Sequence, residues 1–250
     1  MQIALQNHWL LITVIPAIIK KMKETRARIS EVFYTSEGPG ARLNCSSPVH
    51  PTPGQYLPAT AEHTSQILPI PLFPLSFENN SLIVTPPISP GWSPGMELSS
   101  RGPLGNGFHF PAQSHHLLLA DLTPHHGWRL LSLARSNPHP VETVLLTDSA
   151  PEDLPVEIEV LPLSAFSEIL TWADYVAVEL LLPQLSDLVN LAGLRSVSEF
   201  PPYCEALVDT PLICAGIASC GVCSVQVNHR WALACKDGPV FRLNQLSGEE

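Results

Sequence analysis

Four of the six cysteines in this 250-residue chain fall between positions 214 and 235, spaced Cys214-x5-Cys220-x2-Cys223-x11-Cys235. No other feature constrains the fold as strongly, because one loop and the strand after it must bring four thiols together. Disulfide-bonded secreted proteins spread their cysteines along the chain. A tight cluster reads instead as a metal site in a reducing, cytoplasmic compartment. A [2Fe–2S] cluster takes four thiolates, two per iron, commonly three from one loop and a fourth from a later strand. Such a loop must turn tightly and aim backbone N–H groups at the cluster. That needs small, permissive residues, and Ala215, Gly216, Ala218, Ser219 and Gly221 supply them. Two other readings stay open. Structural zinc also takes four cysteines, though usually as two close pairs, and only one close pair is present. The third reading is four buried thiols with no metal. Cys45 and Cys204 stand apart and read as small hydrophobic side chains.

Charge and proline narrow the rest. With 23 acidic against 13 basic residues the formal charge is −10, which repels phosphate backbones and argues against nucleic acid as a partner. The hydrophobic fraction of 45% allows a sizeable core. The 26 prolines disfavour long helices in the first hundred residues, since proline breaks helices and cannot donate to a sheet ladder. The apolar run from His8 to Ile19 (HWLLITVIPAII) is too short to span a bilayer. It lacks a basic stretch before it and a small-residue cleavage site after it, so it fits a signal peptide badly. Residues 1–21 are expected to be a dispensable extension, and no membrane span is expected.

From Met22 the chain reads in three parts. Residues 22–102 are expected to form an antiparallel β-barrel from short runs such as Ala27–Tyr34, Ala41–Cys45, Gly54–Ala59 and Ser81–Thr85, with turns at Glu37–Gly40 and Ser89–Gly91. Pro69–Pro74 (PIPLFP) reads as a rigid loop. Residues 103–200 alternate strands and helices: strands at His116–Asp121, Glu142–Thr147, Val156–Leu161 and Tyr175–Leu180, helices around Trp128–Ser136, Ala165–Leu170 and Leu185–Ala192. That alternation implies a parallel α/β sheet. Residues 201–250 carry the cysteines and two further strands, Ser224–Asn228 and Trp231–Ala234. The expected class is therefore a multi-domain α+β chain: a barrel, an α/β domain and a small cluster domain.

The stretch Cys214–Phe241 resembles the iron–sulfur domain of dihydroorotate dehydrogenase electron-transfer subunits, above all in its ending Cys235–Phe241 (CKDGPVF). A second match, Gly102–Phe108 (GPLGNGF), joins barrel to nucleotide domain in that family. The resemblance covers roughly residues 25–246, with x5 in the first cysteine spacing where the family commonly has x4. It implies a member of the ferredoxin-reductase superfamily that holds FAD on the barrel and a [2Fe–2S] cluster on Cys214, Cys220, Cys223 and Cys235. It also implies a flavoprotein partner, a dihydroorotate dehydrogenase-like catalytic subunit of pyrimidine biosynthesis, whose electrons reach NAD through the FAD.

Other positions depart from the family. Its Arg-Pro-x-Ser flavin motif corresponds to Phe73-Pro74-Leu75-Ser76, and its Gly-Thr to Gly95-Met96, so two groups expected on the FAD phosphates are apolar. A bidentate cation is hard to replace at a pyrophosphate, and the next arginine is Arg101. The Gly-rich phosphate turn of the nucleotide domain corresponds to Asp121–Gly127 (DLTPHHG), with one glycine and an added acid. Glu179-Leu180-Leu181 stands where the family has Cys-Gly-Pro beside the nicotinamide. FAD binding is accordingly doubtful and NAD binding is expected to be lost. The pairs His115/His116 and His125/His126 read as exposed polar residues rather than metal ligands. The leading expectation is an electron-transfer subunit that converts no substrate alone. The alternatives are the full FAD-containing, NAD-reducing subunit and a non-catalytic redox-sensing or scaffold partner.

Overall fold

The computed structural model describes residues 24–247 apart from 36–37, 79, 137–138, 150 and 152–153. The run from His8 to Ile19 lies outside the described residues. Seven antiparallel strands form the first sheet: β1 (Glu24–Thr35), β2 (Gly38–Cys45), β3 (Leu57–Ala61), β4 (Ile70–Leu72), β5 (Pro74–Glu78), β6 (Ser81–Val84) and β7 (Glu97–Arg101). Their order is β4-β3-β7-β1-β2-β6-β5. Thr25, Ala27 and Ile29 point inward and their neighbours outward, the two-residue period of a strand with one buried face. The first turn is tighter than expected, because Gly38 to Gly40 already pair with β1.

The segment expected as a rigid loop, Pro69–Pro74, instead supplies strand β4 and the first residue of β5. These are the two edges of the sheet, yet Phe73 alone separates them. The sheet must therefore curl until its edges meet, which nearly closes it into a barrel. Edge placement suits Pro71 and Pro74, which lack a ladder donor, and Pro71 stands opposite Pro58 of β3. Small and branched side chains, among them Ala27, Leu43, Ala59, Leu72, Leu82 and Leu98, fill the interior.

The second sheet contains β8 (His116–Asp121), β9 (Glu142–Leu146), β10 (Ile158–Leu161), β11 (Tyr175–Leu180), β12 (Cys204–Val208) and β15 (Val240–Arg242), in the order β10-β9-β8-β11-β12-β15. The first five are parallel, and β15 is antiparallel to β12. Helices α1 (Leu131–Ser136), α2 (Phe166–Leu170) and α3 (Leu185–Leu191) follow strands β8, β10 and β11. Every residue of β11 is buried, as suits a central parallel strand covered on both faces. The sheet does not stop at residue 200: β12 and β15 come from the stretch expected to form the cluster domain.

Barrel and α/β sheet share a core, in which Tyr56, Phe73 and Leu75 pack with Leu117, Trp128 and Leu130. The hairpin of β13 (Ser224–Val227) and β14 (Arg230–Leu233) turns through Asn228 and His229, both at positive φ, as a two-residue hairpin turn requires. Among the described residues no helix is long and apolar enough to cross a membrane.

Candidate metal centre

The cysteine loop turns back on itself at Ala215, Ala218, Gly216 and Gly221, whose φ values are 52°, 60°, 75° and 72°. Two of these are alanines, which adopt left-handed backbone only at a cost. The turns bring the thiols together. Cys214 contacts both Cys220 and Cys235, and Cys235 contacts Cys223. Cys223 and Cys235 are buried, Cys214 is half-buried and Cys220 is exposed. The N–H of Cys235 points at Cys223 Sγ, 3.5 Å away. Partial burial works against ionisation of Cys214, but the N–H groups of Ala218 and Ser219 and the neighbouring Cys220 thiol hold it below the usual cysteine range. Burial, then Cys223 and Cys214, push the Cys235 thiol up to about 12.

Four neighbouring sulfurs, two of them (Cys214 and Cys223) with backbone donors aimed at them, on a loop of small left-handed residues, are parts that a [2Fe–2S] cluster needs. Among the described residues no three His, Cys, Asp or Glu side chains are grouped as a single metal ion would require. Cys45 and Cys204 lie elsewhere, against the barrel core and within β12, and burial raises both thiols, Cys204 to about 12.

The cradle is bolted to the rest of the chain by the two motifs the sequence singled out. Asn106 Nδ2 donates to the carbonyl of Asp237 at 2.7 Å, and its backbone N–H donates to Gly238. Gly105 is obligatory here, since a Cβ would lie 2.3 Å from the Gly238 carbonyl oxygen. Tyr56, fully buried in the barrel, donates its hydroxyl to the carbonyl of Cys235 at 3.0 Å. Gly216 fits against Leu104, whose Cδ1 would be 2.4 Å from an added Cβ.

The second candidate region lies at the carboxyl ends of β8 and β11. There the strand order reverses, and in open α/β sheets that is where ligands bind. The chain fills it with its own charges. Asp121, 2% exposed, accepts from the Thr123 N–H at 2.8 Å, the Thr123 hydroxyl at 2.7 Å and the Gly127 N–H at 2.5 Å. These are the donors that a phosphate would use. Glu179, opposite Asp121 on the neighbouring strand, is 0% exposed. Arg129 Nη1 lies 3.1 Å from Glu179 and 2.9 Å from Asp209, while neither Glu179 oxygen has an aligned hydrogen bond. Burial pushes Glu179 up to about 8 despite Arg129. Against the effect of burial, His125 and Arg129 hold Asp209 down at about 2.

Arg129 was not singled out by sequence, and nothing local could reveal it, because its partners lie 50 and 80 residues away. Its guanidinium stacks over Phe73, 4.5 Å from the ring centre. An arginine thus stands beside the position where the flavin motif lacks one, but it comes from the other domain and is committed to carboxylates. His125 is not the exposed residue expected: its side chain is 17% exposed and packs 3.2 Å from Asp209. His126 bonds the Ser149 carbonyl, and the N–H groups of His115 and His116 both donate to Asp174. A cleft of about 660 Å³ is lined by Arg42, Leu75, Ser76 and Glu78 on the barrel side and by Ser132 and Arg135 of α1, among others.

Comparison with known proteins bears on the cysteine segment and on the fold. The family description "Iron-sulfur cluster binding domain of dihydroorotate dehydrogenase B" matches residues 212–247. No curated protein matches the chain in sequence. In three dimensions it is similar to a chain of the NADH-dependent reduced ferredoxin-NADP oxidoreductase, studied for flavin-based electron bifurcation, with a TM-score of 0.67 and 16% identity over 88% of this chain and 89% of that one. It also resembles phthalate dioxygenase reductase, described as a modular structure for electron transfer from pyridine nucleotides to [2Fe–2S]. That match has a TM-score of 0.51 and 11% identity over 72% of this chain and 66% of the reductase. The chain has a ferredoxin-reductase-like fold that carries, at residues 212–247, a segment of the dihydroorotate dehydrogenase B iron–sulfur binding type.

Proposed function

We propose that this chain is an electron-transfer subunit that holds a [2Fe–2S] cluster on Cys214, Cys220, Cys223 and Cys235 and exchanges electrons with a flavoprotein partner. The observation that carries the reading is the convergence of those four thiols in a loop whose N–H groups already point at sulfur. When bound, such a cluster takes up and gives back one electron at a time. The chain's own residues shield Cys223 and Cys235 from water and leave Cys220 at the surface, next to the exposed Ile217 and Val222. An apolar surface beside an exposed ligand suits contact with a redox partner, and a dihydroorotate dehydrogenase-like catalytic subunit fits the matched segment. The crevice between β8 and β11 supports electron exchange with a partner other than NAD, since Asp121 takes the Thr123 and Gly127 donors and Asp209 adds negative charge. On this reading the chain alone converts no substrate.

One observation favours a second reading, in which FAD is also bound. The cleft beside β5 is large, holds Ser76 of the flavin-like motif and offers Arg135 to a phosphate, near Arg42, which is paired with Glu31 at 3.2 Å. Anaerobically purified protein decides between them. The cluster-only reading predicts iron and sulfide in the ratio of a [2Fe–2S] cluster and a colour that acid destroys with no flavin released. Flavin released on heating establishes the second reading, whereas zinc in place of iron and sulfide overturns both.

A further inference from the structure

We propose that Tyr56 is a positioning residue for the cluster, through which the barrel sets the cluster's reduction potential. This rests on the [2Fe–2S] reading above. Tyr56 precedes β3 and is 0% exposed. Its backbone is fixed by two hydrogen bonds with Leu104, Tyr56 N to Leu104 O at 3.2 Å and Leu104 N to Tyr56 O at 2.9 Å. The ring has no freedom to leave, being packed against Phe73 with ring centres 6.0 Å apart.

The hydroxyl reaches the point where the two arms of the cradle meet. On one side it donates to the Cys235 carbonyl at 3.0 Å. On the other lies Gly216 of the cysteine loop, whose Cβ position is 3.4 Å from the hydroxyl and 3.6 Å from that same carbonyl. Cys235 is thus gripped twice. Its carbonyl is held by Tyr56 while its N–H points at Cys223 Sγ. Turning the residue would swing its own sulfur and withdraw a donor from another. A phenol is an O–H donor whose ordinary pKa is about 10, so it is neutral at neutral pH. Hydrogen bonds behind the ligands orient them and tune the metal they hold, and a donor on the ligand's peptide draws electron density away and favours the reduced cluster.

The test replaces Tyr56 in the full cluster-loaded protein. Tyr56→Phe removes only the hydroxyl. The expected result is a more negative midpoint potential, a changed electron paramagnetic resonance line shape after reduction, and several-fold faster loss of iron to a chelator. A fluorinated tyrosine at position 56, a stronger donor of nearly the same shape, shifts the potential the other way, and it decides the matter if Tyr56→Phe fails to fold. A potential and line shape equal to wild type in the variant that folds overturn the inference, even with a lowered melting temperature, because that outcome makes Tyr56 a packing residue only. A wild-type protein without iron and sulfide overturns the function reading and this inference with it. A wild-type cluster that ignores position 56 overturns this inference alone.

Discussion

Two loops in this chain gather backbone N–H donors around negative charge, one at residues 214–223 and one after β8 at residues 123–127. In the first, the donors of Ala218 and Ser219, with the neighbouring Cys220 thiol, hold the Cys214 thiol below the usual cysteine range. In the second, the donors of Thr123 and Gly127 are consumed by Asp121, and Glu179 and Asp209 stand behind it. In open α/β sheets such a crevice is where ligands bind, and here the donors that line it are already matched by Asp121. Whether a loop can take an anionic group depends on whether its donors are already matched, and topology does not settle that.

The sharpest way to break the contrast is on the cysteine side. Cys223→Ser is expected to abolish the cluster signal in electron paramagnetic resonance after reduction and to strip the protein of iron; an unchanged signal removes Cys223 from the ligand set. On the other side, Glu179 gives a pH signature. A carboxyl whose folded pKa of about 8 exceeds its ordinary value keeps extra protons in the folded state between the two. Its favourable contribution is complete at pH values below the unfolded pKa and disappears as pH rises through about 8. Chemical denaturation of the wild type from pH 5 to 9 should show a falling contribution on the order of a few kcal/mol. Glu179→Gln should flatten that slope, and an equal slope in the variant would show that Glu179 is not the titrating group. Asp209, held near 2, acts oppositely: its contribution is present above the ordinary aspartate value and is lost as pH falls through about 2.

The smallest of the three effects comes from Asp121→Ala, which orphans the buried Gly127 N–H and the Thr123 donors and is expected to cost about 2–3 kcal/mol in denaturant melts. A neutral result would mean that water serves those donors equally well. Saturable binding of NADH to the wild type would collapse the comparison altogether.

Sequence pattern was informative where one physical signal dominated. β8, β9 and β11 are apolar runs bounded by polar turns, and their bounds were legible almost to the residue. The barrel was legible as a class, but β4, β5 and β7 were not. Prolines in β4 and β5 hide edge strands, and β7 reads Glu-Leu-Ser-Ser-Arg, with one apolar residue facing in. β12 was missed because Cys204 and Glu205 blur its hydrophobic run; the buried Glu205 is satisfied by the Tyr175 hydroxyl and by the backbone N–H and ring Nδ1 of His109. Cysteine spacing pointed to the metal centre, whereas Tyr56 and Arg129 owe their roles to contacts that span 179 and 80 residues.

β15 immediately follows the CKDGP turn, and it is the strand that covers the outer side of β12. The cysteine segment therefore also guards the edge of the α/β sheet. Excising it would strip the α/β sheet of its last strand and leave the row of β12 carbonyl and amide groups open to another molecule.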